Sequence, residues 1–437
     1  MRGDLNRRAF LQNAIRTPSG KMTMRPNAHG EMVSLLAYGA MRLPTVDGNQ
    51  AGLDWGGSPA PIDKPEVFAQ VDWAIEHGVN LFDTSPCYCR GESEGVLGEA
   101  LARHPRNKWF VSTKLSNFAA ETQTAAASEK MYRTSLELLR TDHLDYYHLH
   151  AVGMGGFDAF KRRYLDNGML DFCVKERAAG RIRNLGFSYH GDRKAWDWLI
   201  ERHDKYKWDF ALIQLNYVDW RHGHALNERN LDAEYLYGEL AARNVPVFVM
   251  EPLQGGKLAK FDYGVAEKLA PIDPEATPAK WAMRFAGSPP RVLSVISGMT
   301  FREHLEENVA TFSPLKPVDE REKEALEAAA RELVSARMVP CTGCQYCMPC
   351  PYGLDIPGIL GVLNRALAEK RLPDPRSPDF AKQRRAFLLD YELSVPEPLR
   401  RADHCIGCNR CRPHCPQGID VPHEIQRVDG IVERLKI

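Results

Sequence analysis

Between about Val33 and Ala310 the chain alternates short apolar runs with amphipathic stretches, and it does so eight times. The runs are Ser34–Tyr38, Val79–Thr84, Trp109–Lys114, Leu144–His150, Ile182–Ser188, Ala211–Tyr217, Pro246–Glu251 and Val292–Ser297. Between them, segments such as Pro65–His77, Ser93–Arg103, Ala127–Arg140, Lys194–His203 and Pro278–Phe285 carry apolar residues at helical spacing. Strand and helix in regular turn imply right-handed βαβ units around a parallel sheet. Eight such units predict an α/β fold of the closed (β/α)8 TIM barrel type. A doubly wound open sheet is the alternative, but no G-x-G-x-x-G follows the first run.

Barrels of this kind place their chemistry where strands give way to the following loops. Asp83-Thr-Ser-Pro-Cys-Tyr88 follows the second run, Lys114 ends the third and His150 ends the fourth. Carbonyl reduction wants these residue types. A tyrosine hydroxyl, with a free pKa of about 10, is a poor acid unless a cation stabilises its phenolate. A lysine held by an aspartate supplies that charge, and a histidine can orient the carbonyl or relay the proton. With a period of two, Tyr146 and His148 share a face with His150, and His148 is expected to be a hydrogen-bonded wall residue. Cys87 and Cys89 are expected to line the pocket, and Cys173 to fill core.

Eight of the eleven cysteines fall in two tight runs near the C-terminus. One is Cys341-x-x-Cys344-x-x-Cys347-x-x-Cys350-Pro351; the other is Cys405-x-x-Cys408-x-x-Cys411-x-x-x-Cys415-Pro416. Four thiolates per run, closed by Cys-Pro, are the ligand pattern of two [4Fe–4S] clusters. Zinc is the competing metal, although structural zinc pairs come as two C-x-x-C knuckles rather than three consecutive steps. Ile359–Lys370 and Phe380–Tyr391 read as helices, so a mainly α-helical ferredoxin-like domain is expected, with Asp319–Arg337 as a charged connector. The expected division is 1–30 tail, 31–315 barrel, 316–340 connector helix and 341–437 iron–sulfur domain.

Lysine plus arginine equals aspartate plus glutamate, 57 each, so no net field recruits nucleic acid or an anionic membrane. No apolar run approaches the ~20 residues of a membrane span. Cysteines in metal spacing point to free thiolates in a reducing compartment, hence the cytoplasm. Asn6-Arg7-Arg8-Ala9-Phe10-Leu11-Gln12 resembles a twin-arginine export signal, but the chain turns polar at Gln12-Asn13 and meets Arg16, Pro18 and Lys21. It reads as the relic of a signal; a functional or truncated one would make the protein periplasmic or exported.

Taken together, these stretches resemble the aldo-keto reductase family, in the bacterial subgroup with a C-terminal two-cluster ferredoxin-type domain. The matching motifs are Leu36-Ala-Tyr-Gly39-Ala-Met41-Arg42-Leu-Pro44, Phe82-Asp83-Thr84 to Tyr88, Gly91-Glu92-Ser93-Glu94 with Gly98, Val111-Ser-Thr-Lys114 and Asp145-Tyr-Tyr-His-Leu-His150. Further on are Ile182-Arg-Asn-Leu-Gly186-Phe-Ser188, Ile213-Gln214-Leu-Asn216-Tyr217, Glu251-Pro252-Leu253 with Gly255-Gly256, and Glu306-Glu307-Asn308. The resemblance implies a catalytic tetrad of Asp83, Tyr88, Lys114 and His150, with Tyr88 the proton donor. It implies that Gln214 holds a nicotinamide carboxamide beside Ser188, that Gly255 and Lys257 lie near the pyrophosphate, and that Glu307 and Asn308 contact the adenine. Tyr189-His190 stands where the family usually has asparagine after the serine, Met250 where an aromatic stacks, and Gly298 where a lysine grips the 2′-phosphate of NADP. NADP, NAD and no nicotinamide therefore all stay open. In two-cluster ferredoxins the fourth cysteine of each run serves the other cluster, which pairs Cys415 with the first run and Cys350 with the second.

The expected function is an oxidoreductase, of aldo/keto reductase type, acting on a small carbonyl/alcohol pair. It would be either NAD(P)H-dependent or iron–sulfur coupled, with its clusters serving electron transfer to a redox partner protein. A nicotinamide passes two electrons together and a cluster takes one, which leaves room for a flavin as converter. The alternative is a non-catalytic electron-transfer or redox-sensing protein whose barrel only binds ligand.

Overall fold

Eight parallel strands close on themselves in the order β10-β3-β4-β5-β6-β7-β8-β9. They are β3 Leu36–Gly39, β4 Leu81–Asp83, β5 Phe110–Leu115, β6 Leu144–Val152, β7 Ile182–Tyr189, β8 Phe210–Gln214, β9 Val247–Met250 and β10 Val292–Gly298. Each falls on one of the eight apolar runs. The structure, a computed structural model, describes residues 20–52, 58–259, 265, 268–335 and 338–436, so the twin-arginine-like stretch lies outside the described residues. Before the barrel, β1 Met24–Pro26 and β2 Met32–Ser34 form an antiparallel hairpin. Its loop donates from Asn27 Nδ2 to the Tyr146 hydroxyl at 3.1 Å, which ties the hairpin to the N-terminal end of the barrel.

Helices start where the sequence supplies caps. Asp63 accepts the Glu66 N–H ahead of Lys64–Glu76, Thr124 accepts that of Ala127, Asp192 that of Ala195 and Thr277 that of Lys280. These caps fix where each helix begins, and so where the preceding loop ends at the barrel mouth.

The barrel interior is graded along its axis. At the N-terminal end Tyr146, Phe210 and Phe248 pack with ring centroids 4.9–5.2 Å apart, together with Leu81, Leu212 and Leu293. One layer up the filling turns polar, with Asp83, Ser112 and His148 all buried. An apolar plug below a polar layer closes the floor of a pocket that opens only at the C-terminal face.

The expected connector is Glu320–Ser335, and it packs on the barrel rather than spanning a gap. Leu326, Ala329 and Ala330 join the barrel core, and Glu322 meets Arg284 at 2.7 Å with both side chains almost fully buried. Beyond it, Ile356–Ala368, Phe380–Ser394 and Val421–Lys436 build a second core of their own around Ile359, Leu363, Tyr391, Ile425 and Val428. Among the described residues no helix is long and apolar enough to cross a membrane.

Candidate active site and cysteine centres

Asp83, Tyr88, Lys114 and His150 converge at the mouth of the barrel. Lys114 Nζ donates to Asp83 Oδ1 and to the Thr84 carbonyl, each at 2.6 Å, and lies 4.7 Å from the centre of the Tyr88 ring. His150 meets the Tyr88 ring edge-on, with centroids 6.0 Å apart. Burial works to raise the Asp83 carboxyl, but Lys114 and a contact with His148 outweigh it and hold it below the usual range. Burial, reinforced by the Asp83 charge, pushes the Tyr88 hydroxyl well above its ordinary value, so it is a proton carrier at working pH. Burial and then Lys114 push His150 well below its ordinary value, so the imidazole is neutral.

His150 is not free to turn. Its Nδ1 lies 2.7 Å from Ser116 Oγ, which is 2.7 Å from Ser85 Oγ, and Ser85 reaches Cys87 Sγ at 3.3 Å. Its carbonyl accepts from Arg163 and from Tyr164, both at 2.6 Å. The sequence reading missed Ser85, Ser116 and Arg163. Their only signal was position: two follow the second and third strands directly. His148 is fully buried, 2.7 Å from Ser112 Oγ and 3.6 Å from Asp83, the hydrogen-bonded wall residue expected.

One contributor comes from outside the barrel. Tyr346, between Cys344 and Cys347, stands within electrostatic reach of Tyr88, Cys87, Glu251 and Arg42. The first cysteine run is therefore seated at the mouth of the barrel. An aromatic between two cysteines was the visible signal, but its destination was not.

The cysteines gather in two sets that exchange their fourth members. Cys341, Cys344, Cys347 and Cys415 are electrostatic neighbours, while Cys411 has Cys408, Cys350 and Cys405 around it. The second set lines one cavity with Leu354, Ile356 and Ile425. Among the described residues no three His, Cys, Asp or Glu side chains form a grip for a single metal ion. A zinc site would draw its sulfurs to ~3.8 Å of one another, as bonds of ~2.3 Å in a tetrahedron require. Four thiols drawn from both runs suit the donor set of an iron–sulfur cube.

The residues expected to hold a dinucleotide are engaged within the protein. Gln214 Nε2 donates to Asp219 Oδ2 at 2.8 Å, and that carboxylate also accepts from Asn216 at 2.5 Å and Gln254 at 3.0 Å. Ser188 Oγ accepts the Ala151 N–H at 2.8 Å. Lys257 Nζ donates to the Val339 carbonyl at 3.1 Å. Glu307 accepts the Thr277 hydroxyl, and Asn308 Nδ2 donates to Ser297 Oγ at 3.2 Å. Gly255 has a φ of +65°, and a Cβ there would lie 2.0 Å from the Thr342 carbonyl oxygen, so backbone meets backbone at this point.

Residues 36–330 match the aldo/keto reductase family and residues 340–419 match a 4Fe-4S dicluster domain. L-Galactose dehydrogenase of Arabidopsis thaliana is 26% identical over 306 residues, covering 66% of this chain and 86% of that protein. Methylglyoxal reductase YeaE of Escherichia coli is 37% identical over 150 residues, which are 34% of this chain and 47% of that enzyme. Among solved structures, aldo-keto reductase AKR11C1 from Bacillus halodurans, in its holo form, has a TM-score of 0.55 at 21% identity, covering 70% of this chain and 95% of its own. An aldo/keto reductase from Klebsiella pneumoniae in complex with NADP and acetate has a TM-score of 0.54 at 20% identity, with coverage of 71% and 95%. At such identities these structures speak for the fold. Nothing in these matches speaks for a flavin.

Proposed function

The chain belongs to the aldo/keto reductase family, and on that premise we propose that it interconverts a small, polar carbonyl compound and its alcohol, using Tyr88 as the proton donor. The observation that carries this reading is Lys114, bound to Asp83 at 2.6 Å and poised 4.7 Å from the Tyr88 ring centre beside a neutral His150. As the Tyr88 proton moves to a carbonyl oxygen, phenolate charge grows next to Lys114. The low dielectric around these buried groups strengthens that attraction. Asp83 keeps the ammonium in place, and Ser116 holds His150 so that its other ring nitrogen can face the carbonyl oxygen. The aromatic plug closes the floor, so substrate and water exchange only at the mouth.

Cys341, Cys344, Cys347 and Cys415 would hold one [4Fe–4S] cluster, and Cys405, Cys408, Cys411 and Cys350 the other. Such clusters supply one-electron transfer when bound. The seating of Tyr346 at the same mouth supports a role for that domain in the reaction of the barrel. A relative named as a sugar dehydrogenase and another named as a methylglyoxal reductase support hydroxylated or dicarbonyl substrates. An NADP-bound neighbour supports a nicotinamide as reductant.

The test uses protein reconstituted anaerobically with iron and sulfide and supplied with a panel of aldoses and α-dicarbonyls. Reduced methyl viologen and NADPH are offered separately as reductants. Tyr88→Phe should lower turnover by ~10²–10⁴-fold, the span of a lost general acid. Equal turnover by wild type and variant would end the enzyme reading and leave a redox-sensing or electron-transfer protein.

A further inference from the structure

Barrels commonly bind phosphate with the loops that follow their last two strands, through backbone N–H groups and a nearby cation. The loop after β9 has the shape for it. Glu251, Gln254, Gly255 and Gly256 all have positive φ. Its donors are nevertheless spent. The Gln254 N–H goes to the Glu251 carbonyl at 3.1 Å, and the Gly256 and Leu258 N–H groups go to the Leu253 carbonyl at 2.9 and 3.0 Å. The Gly255 N–H faces the Glu251 carboxylate. The cation of the loop, Lys257, donates to the Val339 carbonyl, and the Thr342 carbonyl closes on Gly255. Carbonyl oxygens of this chain thus cover the cation and the glycine of the loop, and Tyr346 stands within electrostatic reach of Tyr88. The cavity left between barrel and cover is about 300 Å³. That is the lower end of the ~300–1,000 Å³ in which proteins hold drug-sized ligands. A molecule with two bases, two riboses and a pyrophosphate is large for such a space.

We propose that the segment Val339–Tyr346 permanently fills the groove in which a related barrel would take a nicotinamide dinucleotide, so that this protein binds neither NADPH nor NADH. The proposal rests on the carbonyl/alcohol reading above and changes its electron source. Reducing a carbonyl to an alcohol breaks the C=O π bond and forms one C–H and one O–H bond, consuming two electrons and two protons. Two equivalents of a one-electron donor, each oxidised by one electron, supply the electrons. Tyr88 delivers one proton and solvent the other.

The experiment measures equilibrium dialysis of NADPH and NADH against the full-length, cluster-loaded protein. In parallel, hydrogen exchange is followed across residues 339–346 with and without dinucleotide. The expected result is no saturable binding within the ~1 μM–1 mM range where enzymes hold their substrates, and unchanged exchange. Saturable binding in that range, or a dinucleotide-dependent change in exchange over 339–346, overturns the proposal. Viologen-driven turnover lost in Tyr88→Phe separates the two claims. Dinucleotide binding with that loss intact sinks only the proposal. No dinucleotide binding with Tyr88→Phe fully active upholds the filled groove and sinks the catalytic reading.

Discussion

Replacing Lys114 by methionine isolates what the buried pair contributes. Lys114 and Asp83 are 1% and 4% exposed and 2.6 Å apart. Lys114→Met keeps the length of the side chain and strands the carboxylate, which retains only the Ser112 hydroxyl at 2.8 Å and His148 at 3.6 Å. Removing one partner of a buried pair costs about 3–5 kcal/mol, because the other charge stays desolvated. At ~2–4 °C per kcal/mol for domains of this scale, the barrel transition should fall by roughly 6–20 °C. Lys114→Met/Asp83→Asn removes both charges and should recover most of that loss while remaining inactive. The sign with pH follows from the same groups. In wild type the depressed Asp83 pKa stabilises the fold above the carboxyl's unfolded value, and this is lost as pH falls through the folded pKa. Without Lys114 burial dominates and raises that pKa, so the deficit of the single variant should be largest at neutral pH and shrink on acidification. The assay is scanning fluorimetry on the buried tryptophans Trp196 and Trp281, from pH 5 to 8. A single variant within about 2 °C of wild type, or a double variant no better than the single, would refute the reasoning.

Other outcomes are open to test. Glu94 is buried and accepts hydroxyls from Thr113 and Ser135, and burial raises its pKa to about 7. An unfolded glutamate releases its proton near ~4.3, so stability should fall as pH rises between these values; Glu94→Gln should flatten that slope in denaturation curves and be the more stable form above pH 7. Ser116→Ala leaves His150 Nδ1 only the longer contact to Ser85 Oγ at 3.4 Å, and losing one such hydrogen bond, about 1 kcal/mol, should lower kcat/KM roughly fivefold with little change in thermal midpoint. The two cores share no member, so stripping iron with a chelator should lower a transition belonging to residues 338–436 and leave that of the barrel in place, read by calorimetry.

The strand ends and the meeting of Asp83, Tyr88, Lys114 and His150 were legible because barrel strand ends share one face. Asp83, Lys114 and His150 each close an apolar run, and the strand-end position of His150 separated it from His148 on the same face. The hairpin of β1 and β2 was missed because three-residue strands carry no readable period. Val421–Lys436 was not singled out, although Val421, Ile425, Val428, Val432 and Leu435 recur at helical spacing. The seat of the cysteine domain was illegible for a different reason. Gly255 against Thr342, and Lys257 on Val339, join residues more than 80 positions apart, and no local pattern encodes such a meeting. The helix Glu320–Ser335 shows the same limit: its charges suggested a connector and gave no sign of its seat, whereas Leu326, Ala329 and Ala330 bury it on the barrel.

The exchange of fourth cysteines has a consequence for biosynthesis. Cys341, Cys344 and Cys347 wait for Cys415, while the family match of the barrel ends at residue 330. From 330 to 411, where the second set is complete, is 81 residues, and at ~5–20 residues per second the ribosome needs roughly 4–16 s to make them. The barrel can fold in that interval, before either cysteine set is complete. Metal insertion then becomes a checkpoint on translation: a chain that stalls before residue 411 carries a finished barrel and no complete cluster site.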